Sequence, residues 1–83
     1  MSRAEILNKL NEIFRDIFDE EDIEISEETK PEDIEDWDSI GHVYLTFEIE
    51  DEFKIKLGEK INAIENVKDI IDLIEEAMER RGQ

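Results

Sequence analysis

Apolar side chains recur at three- and four-residue steps in three separate stretches of this chain, a spacing that restricts it to packed helices. Ile6, Leu7, Leu10, Ile13, Phe14, Ile17 and Phe18 form one stripe and predict a helix over 2–18, with Ser2 and Glu5 placed as a capping box. Val67, Ile70, Ile71, Ile74, Ala77 and Met78 form another and predict a helix over 67–80, its negative end complemented by Arg80 and Arg81. A third helix is expected over 38–53, starting at Asp38, a good N-cap residue, and reaching Phe53. The segment 19–37 has no helical period and contains Pro31, so it reads as a long loop. Ile23, Ile25, Ile34 and Trp37 are its expected anchors. Gly58 ends the later connection, and Ile61 and Ile64 predict a short helical turn at about 60–64. The fold class is therefore all-α: a small bundle of three main helices plus one short helix, in one domain over 1–83.

Size and charge narrow the function. Eighty-three residues hold too small a core for a substrate cavity together with a catalytic apparatus. Twenty-six acidic residues against ten basic ones give a net charge of -16. Such a surface repels nucleic acid and anionic lipid and attracts basic protein patches. High charge also accompanies disorder, but 39% of the residues are hydrophobic and stand at helical spacing. With no cysteine, the chain can build neither a disulfide nor a thiolate metal site, so any thiol chemistry must come from an attached group. No apolar run approaches membrane-spanning length and the N-terminus lacks a signal-peptide hydrophobic region. A cytoplasmic monomer without membrane insertion is the expectation.

The middle helix carries the informative residues. If Asp38 caps it, the Ser39 hydroxyl sits on its first turn, exposed beside unpaired backbone N–H groups. That setting favours a phosphate ester at the hydroxyl. At about 100 degrees per residue, Leu45, Ile49 and Phe53 share one side of the helix, while Ile40, Val43, Tyr44 and Phe47 lie roughly opposite. Such a helix is either sandwiched in the bundle or reads a partner with its second side. Ser39 falls beside Val43, with Glu50 further along that edge and Asp51 beyond Phe47. An apolar strip edged by carboxylates suits docking onto apolar pockets ringed by Arg or Lys.

Asp38-Ser39-Ile40 resembles the Asp-Ser-Leu motif of acyl carrier proteins, and the resemblance covers nearly the whole chain. Pro31-Glu32-Asp33-Ile34 is similar to the family's loop into its second helix. Glu50-Asp51-Glu52-Phe53 with Ile55 and Leu57 is similar to the end of that helix and the loop beyond, and Val67 to Ile74 to the last helix. The resemblance implies a phosphopantetheine arm, taken from coenzyme A and attached to Ser39 by a phosphopantetheinyl transferase, with Asp38 as part of the motif. It implies a terminal thiol holding an acyl or aminoacyl group as a thioester, and no catalysis by the chain itself. Loading and transferring enzymes with basic docking patches would bind Ile40, Val43, Tyr44, Phe47, Glu50 and Asp51. Two departures stand out. Gly41 and Tyr44 occupy positions that are commonly acidic in fatty-acid carriers, and Ile40 replaces the commoner leucine. They point away from ordinary fatty-acid synthesis, toward a specialised carrier.

Other readings are weaker. Ser39 and His42 could suggest a hydrolase, but nothing else in the chain supplies an orienting group or an oxyanion site. A calcium loop starting at Asp36 fails because Ile40 and Phe47 stand where oxygen ligands are needed. The substantial alternative is an unmodified acidic helical interaction module, or a degenerate carrier without its tether.

Overall fold

The computed structural model describes residues 1–81; the last two positions of the expected 1–83 domain lie outside them. Three α-helices of equal length, α1 (Arg3–Ile17), α2 (Ser39–Phe53) and α3 (Val67–Arg81), pack into a bundle, and no strand occurs among the described residues. The fold is all-α, as the spacing predicts. Ser2 and Phe18, placed inside the first helix by the sequence, are its caps. The Ser2 hydroxyl accepts from the Glu5 amide at 3.2 Å and the Glu5 carboxylate accepts from the Ser2 amide at 2.9 Å. Asp38 likewise caps α2 from outside. The turn expected at about 60–64 is a 3-10 helix over Gly58–Ala63, and the long loop contains a second one over Pro31–Asp33.

α1 and α2 end in the same way. Asp19 and Lys54 adopt left-handed backbone conformations, with φ of 50° and 58°. The next amides reach back five residues: Glu20 to the Arg15 carbonyl and Ile55 to the Glu50 carbonyl, each at 3.1 Å. These bonds satisfy helix-end carbonyls that have no partner inside the helix.

The stripes of the three helices meet in one core. Ile6, Leu10, Phe14, Leu45, Ile49, Val67, Ile70, Ile71 and Ile74 are completely buried. Each contributes about 1.5–3 kcal/mol relative to exposure. The long loop is held to this core by its apolar anchors Ile23, Ile25 and Trp37 and by polar contacts. The Asn11 side chain accepts from the Ile25 amide at 2.7 Å, and Arg15 Nε donates to the Ile23 carbonyl at 2.7 Å. Further along, the Thr29 and Glu27 carbonyls accept from the Val67 and Lys68 amides, both at 2.9 Å, so the loop caps the start of α3. Arg3 joins α1 to α3 through Asp72 at 2.8 Å and Glu75 at 2.6 Å, and reaches Glu27 in the loop at 3.4 Å. No described helix is long and apolar enough to cross a membrane.

Candidate functional site

The loop that leads into α2 sets where Ser39 lies. The Trp37 amide donates to the Ile34 carbonyl and the Asp38 amide to the Asp36 carbonyl, bending the chain into the helix start. Asp38 Oδ1 then accepts the Gly41 amide at 2.8 Å, and its carbonyl accepts the His42 amide at 2.8 Å. Ser39, the first helical residue, is exposed. Among the described residues no hydrogen bond uses its hydroxyl or the amides of Ser39 and Ile40. The oxygen is free, and the amides beside it favour an anion. His42, three residues on, has both ring nitrogens engaged elsewhere and is not bonded to it.

Those two bonds join three elements. Trp37 Nε1–H donates to His42 Nδ1 at 3.0 Å, and His42 Nε2 lies 2.9 Å from the Ile61 carbonyl. An indole N–H only donates and a carbonyl only accepts, which assigns the proton of the neutral imidazole to Nε2. The indole and imidazole rings are stacked, 6.2 Å apart with 14° between planes. Trp37 also packs edge-on against Phe14 of the core, at 5.0 Å. Beside this assembly runs a surface groove of about 570 Å³, lined among others by Ser39, His42, Val43, Asn62 and Ile64.

The structure separates the two sides of α2. Leu45, Ile49 and Phe53 enter the core, while Ile40, Val43, Tyr44 and Phe47 are 67%, 51%, 60% and 64% exposed. Asp51 is exposed at the far end of the strip and stands 3.9 Å from Lys54. Glu50 is placed differently from the expectation of a free docking carboxylate. It is half-buried, and its side chain accepts the Leu57 amide at 2.8 Å, closing the turn after α2. Gly41 is buried against the preceding loop. A Cβ there would lie 2.5 Å from the Asp36 carbonyl oxygen and 3.0 Å from the Phe18 ring. Sequence reading treated this glycine as an absent charge and missed its packing role. A small residue three positions after the N-cap is the only signal it gave.

Fold and site together define a small helical bundle whose middle helix opens on an exposed serine and carries an exposed apolar strip. No family model and no curated protein matches the chain. Among solved structures, the solution NMR structure of holo acyl carrier protein from Geobacter metallireducens is similar to it, at 36% identity and a TM-score of 0.83. The match covers 90% of this chain and 87% of that one. The chain belongs to the acyl carrier protein family. It is accordingly a carrier and not an enzyme.

Proposed function

We propose that Ser39 Oγ is the attachment point of a phosphopantetheine arm, and that this chain presents the arm's cargo to enzymes docking on α2. The observation that carries the reading is the exposed Ser39 hydroxyl, unpartnered among the described residues at the first position of α2. The residues present fit such a group: a free oxygen to esterify, uncommitted amides beside it, and a groove alongside. When bound, the group supplies a thiol that holds an acyl or aminoacyl unit as a thioester. Asp38 fixes the helix start, so Ser39 keeps its place as the arm moves. Ile40, Val43, Tyr44 and Phe47 give a partner apolar area to bury, and Asp51 offers a charge for a basic rim.

The strip supports a specialised carrier. Gly41 is buried and Tyr44 is neutral, so the start of α2 presents apolar surface where the commoner carriers present carboxylates. Partners chosen by this face would rely more on fit and less on charge. Intact mass after incubation with coenzyme A and a broad-specificity phosphopantetheinyl transferase tests the attachment. The expected result is a gain of one arm in the wild type and none in Ser39→Ala. No gain in a folded wild type would leave the unmodified interaction module as the better reading.

A further inference from the structure

We infer that His42 bars the passage from Ser39 into the bundle interior, and that the cargo is consequently a short acyl-type group held in the surface groove. The inference rests on the carrier reading above and adds a substrate class to it. A chain turning inward from the groove that Ser39, His42, Asn62 and Ile64 line would pass between α2 and the Gly58–Ala63 helix. The His42 imidazole spans that gap, bonded on one side to Trp37 and on the other to the Ile61 carbonyl. Both ring nitrogens are satisfied and the ring is stacked on a buried indole, so turning it out of the gap would break both bonds and the stack.

The interior behind the ring is closed to solvent. Leu45, Ile49, Ile70, Ile71 and Ile74 have no exposed surface, and Ile61 is buried with them. A long chain entering past the ring would break two hydrogen bonds and displace core side chains. The groove outside is different. It is open to solvent and edged by Asp38 and Asn62 as well as by Pro31, Trp37, Val43 and Ile64, a mixture that receives a short group with both apolar and polar parts. His42 is thus a specificity-determining residue that acts by closure.

The test uses the arm-loaded protein, with its mass checked, carrying either an acetyl or an octanoyl thioester. In the wild type we expect the two forms to share amide NMR positions at Leu45, Ile49, Ile70 and Ile71. Hydroxylamine should cleave the two thioesters at rates within about twofold, since neither is shielded from solvent. In His42→Ala the octanoyl form should shift those amides and be cleaved about tenfold more slowly, as a buried thioester would be. Octanoyl-dependent shifts or shielding in the wild type overturn the proposal. Exclusion that persists in His42→Ala overturns the assignment to His42. If that variant does not fold, His42→Thr replaces it, and the wild-type comparison is decisive without either. Failure to gain the arm appears earlier, in the mass, and would count against the attachment at Ser39; octanoyl entry into an arm-loaded wild type would count against this inference alone.

Discussion

A side chain at position 41 would collide with the chain that precedes it, since the Asp36 carbonyl leaves no room for even one carbon. Gly41→Ala should therefore cost about 1–3 kcal/mol, read from urea unfolding, as overpacked sites do. Gly41→Asp should cost at least as much, so the acidic residue common in fatty-acid carriers cannot be restored here without moving the loop. Position 41 also shows what a linear reading can reach. Residue types and period disclosed Asp38 as a cap and Ser39 as an accessible hydroxyl, because both follow from the local chemistry of a helix start. The tasks of Gly41, His42 and Glu50 depend on where the loop backbone passes, through the carbonyls of Asp36 and Ile61 and the amide of Leu57. A backbone path of that kind leaves no periodic trace.

The elements were legible where one face is buried. α1 and α3 each show a single stripe, and their limits fall within a residue or two of the expected ones. α2 was harder because its two apolar sides fit either burial or docking, and only packing decides between them. The decision has a measurable form. Leu45→Ala should lose about 2–5 kcal/mol, whereas Phe47→Ala should stay within about 0.5 kcal/mol of the wild type. Loading by a partner enzyme should show the converse for the exposed strip: Phe47→Ala and Asp51→Lys should slow it while thermal unfolding is unchanged. At the C-terminal end of the same helix, Lys54 holds a left-handed conformation that suits glycine better. Lys54→Gly should stabilise the fold by roughly 0.5–1 kcal/mol in the same urea assay.

Across the whole molecule, a net charge of -16 on 83 residues makes self-repulsion part of the stability balance. Added salt should raise the melting temperature, the reverse of what attractive surface pairs alone would give. Acid acts twice. As pH falls from neutrality, protonation of carboxylates relieves repulsion and stability should first rise. Two groups then oppose the trend: hydrogen bonding to Arg3 lowers the Asp72 pKa, and bonding to Ser2 lowers that of Glu5. Their folded-state values lie below the unfolded ones, so their contribution is complete above the ordinary values of 3.8 and 4.5. It is lost as pH falls below these through the lowered values. A melting-temperature series should accordingly pass through a maximum on the acid side of neutrality and then drop, with the drop shifted in Arg3→Met.

The chain has a single tryptophan, and it stands where the core, the long loop and the groove beside Ser39 meet. Its ring touches Phe14 on one side and is tied to His42 on the other. Excited beyond the tyrosine band, emission from this one indole therefore samples the neighbourhood of Ser39. A change at that serine, in the groove or at a bound enzyme surface becomes visible in an unlabelled protein, which makes this carrier its own optical sensor.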